Sequence, residues 1–132
     1  MAAAAPDALA ITIVVADDHT VMRNGLRMLL EAEEDFRVVA EAGTIQAVFV
    51  NVRGHRPAVL VLDLNMLGGS SIAAISRLSV ISPHTAVVVL TMEDDPAFMR
   101  EALAAGASGY VLKDAAATDL VRAIRAAVQT RG

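Results

Sequence analysis

The chain has 132 residues, a formal net charge of −4, no cysteine and 55% hydrophobic residues. That length suits one domain able to remove roughly 70% of its unfolded surface from water. The missing cysteine excludes disulfides and thiolate metal sites, and the acidic balance argues against a surface that grips phosphate backbones broadly.

The opening MAAAAPDALA lacks the basic leader of a signal peptide and is interrupted by Pro6 and Asp7, so residues 1–9 are read as a flexible tail ahead of a domain over 10–129. Charged residues or proline break every apolar stretch before the roughly 18 residues a membrane span needs. A soluble, cytoplasmic domain without a membrane partner is expected.

In chain order, a strand is predicted over 11–16, a helix over 20–33, a strand over 36–42 and a helix over 44–54. A strand over 58–63, a helix over 70–80, a strand over 85–91 and a helix over 95–105 follow, then a last strand over 108–113 and a last helix over 115–129. This alternation is the pattern of βαβ units on a parallel sheet. The third and fourth strand runs are apolar almost without a break, as expected for strands covered on both faces. Gly43, Gly54 and Gly106 mark stops, Pro57 and Pro83 precede strands, and Thr44, Ser70 or Ser71, and Asp94 or Asp95 are candidate N-caps. In the last helix Leu120, Val121, Ile124 and Val128 form an apolar face, while Arg122, Arg125 and Gln129 fall on a solvated one.

Polar residues gather where the strands end. In an open parallel α/β sheet the ligand site lies beyond those ends, at the point where strand order reverses. Five right-handed βα units commonly adopt the order 2-1-3-4-5, a doubly wound sheet in which Asp17 and Asp18 face Asp63. Unit charges about 4 Å apart interact by roughly 4 kcal/mol at an effective dielectric of 20, so three carboxylates in one cleft imply a cation. Oxygen donors alone favour a hard ion such as Mg²⁺. Thr91 supplies a hydroxyl and Lys113 an ammonium, which completes the parts needed for Asp63 to take up a phosphoryl group. Read singly, each of these residues is equally well a helix cap or a surface side chain; jointly they point to a phosphoryl acceptor.

The segments VVADDH, LVLDLNM, VVVLTM and GYVLKDA, in that order, resemble the receiver domain of bacterial two-component response regulators. The wording ADDH, LTMEDDP and AGASGYVLKDA resembles the NarL/FixJ type, whose receivers precede a LuxR-type helix-turn-helix. The resemblance implies the flavodoxin-like, CheY-like fold and a switch that catalyses only its own phosphorylation and dephosphorylation. It makes Asp63 the phosphorylated residue and Asp17, Asp18, Asp63 and the backbone carbonyl of Asn65 the holders of Mg²⁺ (or Mn²⁺). Thr91 and Lys113 contact the phosphoryl group, Thr91 and Tyr110 form the switch pair, and Asn65, Met92 and Glu93 tune phosphate loss, Met92 also narrowing access. A sensor histidine kinase is the implied donor, with a homodimer on phosphorylation.

No helix-turn-helix follows the last helix, so an isolated or stand-alone receiver is expected, with DNA binding left to a C-terminal domain that this chain lacks. The family usually has proline where Leu67 stands and often glycine where Ser71 stands, which implies a less constrained loop after Asp63. Thr20 replaces a frequent proline and is read as neutral.

Two other function classes fit less well. Haloacid-dehalogenase-type phosphatases share the chemistry, but their nucleophile ends the first strand, and no cap domain fits here. A mononucleotide carrier needs a Gly- or Ser/Thr-rich loop where ADDHT stands, and a degenerate receiver usually loses Asp63, Lys113 or the acidic pair. His19, His55 and His84 are scattered; His19 is read first as capping the first helix and second, beside Asp18, as lining the site. Met22, Met28, Met66 and Met99 are read as gap-fillers.

Overall fold

The computed structural model describes residues 10–131; the tail expected over residues 1–9 lies outside the described residues. The elements are β1 (Ile11–Ala16), α1 (Thr20–Glu31), β2 (Phe36–Ala42), α2 (Ile45–His55), β3 (Val59–Asp63), α3 (Ser71–Ile81), β4 (Ala86–Thr91), α4 (Pro96–Ala105), β5 (Gly109–Leu112), a single 3₁₀ turn (Lys113–Ala115) and α5 (Ala116–Arg131). All strands are parallel, in the order β2-β1-β3-β4-β5, as the alternation predicts.

Side chains alternate across the pleat, so each strand feeds two cores. Ile13, Val15, Val59, Val61, Val88 and Leu90 meet α1 and α5 on one face. On the other, Val14, Leu60, Leu62, Val87 and Val89 meet residues of α2, α3 and α4. Each such aliphatic side chain contributes about 1.5–3 kcal/mol by leaving water. The near-continuous apolar runs of β3 and β4 therefore reflect burial on both faces.

The caps fall where short polar side chains were expected. Thr44 accepts from the N–H of Ala47, Ser70 from Ala73 and Asp95 from Ala97. Ser71 and Asp94 are not the caps of α3 and α4. β5 ends at Leu112, one residue early, because Lys113 opens the 3₁₀ turn instead of continuing the strand. The β1–β2 register jumps after Ile13, which pairs with Val38, to Val14, which pairs with Ala40; this bulge has no counterpart in the hydrophobic pattern.

α5 buries Leu120, Ile124 and Ala127, with Val121 and Val128 packed at the margin. Arg122 is exposed as expected, but Arg125 is not a free solvated side chain. Its guanidinium reaches Asp35 at 2.7 and 3.0 Å and Glu33 at 3.0 Å, and lies 4.6 Å from the centroid of Phe36. Met22 packs against one core and Met66 is buried, whereas Met28 is 75% and Met99 40% exposed, so gap-filling does not describe the last two. No helix among the described residues is long and apolar enough to cross a membrane.

Candidate functional site

The register brings the strand ends to one edge of the sheet. Ala16 pairs with Leu62, Asp63 with Leu90, and Thr91 with Leu112. The residues just beyond, Asp17 and Lys113, thus join Asp63 and Thr91. Asp17, Asp63 and Thr91 are buried, and Lys113 Nζ lies 3.0 Å from Asp17 Oδ2 and 3.1 Å from Asp63 Oδ2.

Backbone and neighbouring side chains fix the carboxylates. The N–H of His19 donates to Asp17 Oδ1 at 2.9 Å and that of Asn65 to Asp63 Oδ1 at 3.1 Å. Arg23 donates from Nη1 to the carbonyl of Asp17 at 2.7 Å and from Nε to Glu41 at 3.3 Å. Gly43 belongs to this clamp, since a Cβ there would lie 3.1 Å from Arg23 Nη1. The sequence offered no signal for Arg23: its carbonyl partner is independent of side-chain identity.

Charge at the site is out of balance, with three carboxylates around one ammonium. Burial pushes the Asp63 carboxyl above its ordinary value, against the pull of the Asn65 N–H and of Lys113. Burial alone would lower the Lys113 ammonium, but Asp17 and Asp63 outweigh it and hold Lys113 above its usual range. One ligand atom from each of Asp17, Asp18, His19 and Asp63 lies within 4.8 Å of the others. Asp17 Oδ2 and Asp18 Oδ1 are buried and receive no hydrogen bond; Lys113 neutralises the former by proximity rather than by a well-directed bond. Buried oxygens without donors fit a divalent cation. His19, absent from the expected ligand cluster, stands at the N-cap of α1 but its side chain caps nothing.

Thr91, Glu93 and Tyr110 form a chain of contacts. The Thr91 hydroxyl oxygen accepts from the N–H of Glu93 at 3.1 Å, and the Tyr110 hydroxyl donates to the carbonyl of Glu93 at 2.7 Å. The threonine and the aromatic ring are thus held through one peptide unit each side of Glu93. Met92 is 68% exposed. Glu93 and Asn65 line one cavity of about 460 Å³ with Ser71, Phe98 and Glu101. His55 ends α2 and His84 precedes β4, neither joining the acidic cluster.

At Ser71, one of its two unusual residues, the loop after Asp63 is anchored rather than loosened. The Ser71 hydroxyl donates to the carbonyl of Asp63 at 2.7 Å, a bond glycine cannot make. At Leu67, the carbonyl accepts from the N–H of Ile45 at 2.9 Å, within an isolated parallel bridge between Thr44 and Leu67. Between these two anchors Gly68 adopts φ 93°, which favours glycine.

Residues 13–125 match the family described as the response regulator receiver domain. Over 118 residues, 89% of the chain, it is 42% identical to the oxygen regulatory protein NreC of Staphylococcus epidermidis, and this match covers 54% of that protein. The chain therefore spans about half the length of this relative. The signal receiver domain of the response regulator NarL from Mycobacterium tuberculosis superposes with a TM-score of 0.86 at 30% identity, covering 91% of this chain and 97% of that one. RcsB from Salmonella enterica serovar Typhimurium, bound to promoter rprA in the presence of the phosphomimetic BeF₃⁻, superposes with a TM-score of 0.82 at 34% identity over 90% and 98% of the two chains.

Proposed function

We propose a function that proceeds from one premise: this chain belongs to the response regulator receiver domain family. It is the phospho-accepting switch of a two-component system, and Asp63 takes a phosphoryl group from a histidine of a sensor kinase. The supporting observation is the buried pair Asp17 and Asp63 bridged by Lys113, with Asp18 Oδ1 beside it receiving no hydrogen bond.

In this reading an Asp63 oxygen attacks phosphorus. The P–N bond of the donor breaks as the P–O bond forms, and the departing imidazole keeps the electron pair and takes a proton from water. Asp17, Asp18, Asp63 and the Asn65 carbonyl hold Mg²⁺ (or Mn²⁺), which when bound offsets charge on the phosphoryl oxygens. Lys113 pairs with one of those oxygens, releasing its hold on Asp17. The Thr91 hydroxyl donates to another, and a turn of its side chain toward that oxygen pulls on the bond it accepts from the N–H of Glu93 and so disturbs the peptide that anchors Tyr110. Differential contacts of this kind are what a two-state switch needs. Asn65, Met92 and Glu93, at the mouth of the site, set how fast phosphate is lost.

The protein acts on no outside substrate beyond its phosphodonor. Its output is transcriptional and cytoplasmic: a phosphorylation-dependent homodimer acts through a helix-turn-helix domain outside these residues. The promoter-bound state of RcsB and the partial coverage of NreC support that part of the reading.

The test is intact mass after incubation with acetyl phosphate, and sedimentation after incubation with beryllofluoride, each with and without Mg²⁺. A Mg²⁺-dependent adduct or sedimentation shift of the wild type, absent from Asp63→Asn, is the expected result. A wild type that shows neither refutes it.

A further inference from the structure

The phospho-acceptor reading uses the acidic pair and leaves the adjoining imidazole without a task. His19 Nδ1 lies 2.8 Å from Asp18 Oδ1 and 3.4 Å from Asp17 Oδ1. Its own N–H is bonded to Asp17 Oδ1 at 2.9 Å, which fixes the base of the side chain over the cluster. Yet Asp18 Oδ1, the oxygen the ring faces, receives no hydrogen bond, and neither does Asp17 Oδ2, on a residue only 1% exposed. Lys113 Nζ already lies between Asp17 Oδ2 and Asp63 Oδ2, at 3.0 and 3.1 Å, whereas the side of the cluster shared by Asp18 Oδ1 and the His19 ring has no hydrogen bond in place.

The spread of the donor atoms is close to that of a coordination shell. Ligands about 2.1 Å from one ion lie at most about 4.2 Å apart, and the four atoms here already fall within 4.8 Å. A contraction of about half an ångström would close the set. The donor chemistry then decides which ion benefits. Mg²⁺ takes oxygen and keeps its waters, whereas imidazole suits first-row transition ions.

We propose that His19 is an accessory nitrogen ligand, used for transition ions such as Co²⁺ or Ni²⁺ and idle for Mg²⁺, so that one acidic site binds two classes of ion in two modes. The inference rests on the phospho-acceptor reading only for the acidic site itself. It gives the switch a sensitivity to transition-metal supply, because an ion held through His19 competes with Mg²⁺ for Asp17 and Asp18.

Oxygen sites also prefer Co²⁺ to Mg²⁺, so the order of affinities alone is no test; the effect of His19 on their ratio is. Untagged protein is titrated with Co²⁺ and with Mg²⁺ by calorimetry, for the wild type, His19→Ala, His19→Gln and Asp18→Asn. The expected result is Co²⁺ affinity reduced about tenfold or more in both His19 variants, with Mg²⁺ affinity changed less than about twofold. Asp18→Asn weakens both ions. The Co²⁺ form should also show a paramagnetically shifted imidazole proton that His19→Ala removes. Equal weakening of both ions, or an unchanged Co²⁺ to Mg²⁺ ratio, overturns the inference while leaving the acidic site standing. Failure of the wild type to bind either ion sinks both together.

Discussion

At the edge where β1 and β2 begin, Arg125 closes on Asp35 with two bonds, adds Glu33, and lies over the ring of Phe36. At the opposite edge, Lys113 is spread between two buried carboxylates, and a third stands beside them. The first cluster is half-exposed and its cation is matched by carboxylates in good geometry. The second is buried and has too much negative charge for its one ammonium. The first ties α5 to the turn before β2; the second spends stability to keep Asp63, the proposed acceptor, in a low-dielectric site.

The largest break in this comparison comes from Asp63→Asn. It should abolish the Mg²⁺-dependent adduct, yet raise stability in EDTA by about 1 kcal/mol or more, because a buried like charge is removed; chemical denaturation checks it. A loss of stability would mean the site is not frustrated. Next, Lys113→Ala should cost about 2 kcal/mol by leaving Asp17 and Asp63 facing each other. Adding Asp63→Asn should recover part of that loss, and a double-mutant cycle with simple additivity would contradict the shared-cation picture.

Arg125→Ala should cost about 1 kcal/mol, mostly packing over Phe36 since the ion pairs are screened, and leave adduct formation unchanged. A slowed adduct would break the separation of the two clusters. The clusters should also answer pH with opposite signs. Asp63 is raised by burial, so its contribution is present below the unfolded value near about 3.9 and lost as pH rises through the folded one. The advantage of Asp63→Asn should therefore open with rising pH. Arg125 holds Asp35 below its ordinary value, so that contribution is lost as pH falls through the folded value. The gap between wild type and Arg125→Ala should close with falling pH; melting curves across the acid range report both.

The smallest expected effect is at Glu93, whose backbone links Thr91 to Tyr110. Glu93→Ala should change the lifetime of the phosphorylated form severalfold while leaving the final extent of phosphorylation alone. Equal lifetimes in the mutant and wild type would remove Glu93 from the tuning residues.

What the sequence conveyed, and what it hid, follows the range of the forces involved. Strand burial is periodic along the chain, so Val59 to Leu62 and Val87 to Leu90 announced a two-sided sheet, and its topology placed Asp17, Asp63, Thr91 and Lys113 at one edge. Caps such as Thr44 and Ser70 are local and were legible for the same reason. Arg125 was misread because its partners lie about ninety residues away, and no period in α5 reveals them. His19 stands where a cap is expected, but its ring turns to the acids, the less favoured of its two readings. Ser71 was read as loosened turn chemistry, whereas its hydroxyl binds back to the strand it follows.

The hydrogen bond from Tyr110 to the carbonyl of Glu93 has an optical consequence. Tyr110 is the one tyrosine in the chain, and there is no tryptophan. Its phenol sits close to Glu93, Asp94 and Asp95, and burial together with those charges keeps its proton on above the usual range. Tyrosine emission, and the absorbance at wavelengths longer than phenylalanine reaches, therefore come from a single ring whose hydroxyl touches the segment next to Thr91. The domain carries its own label-free reporter, placed where the response to phosphorylation would first be felt.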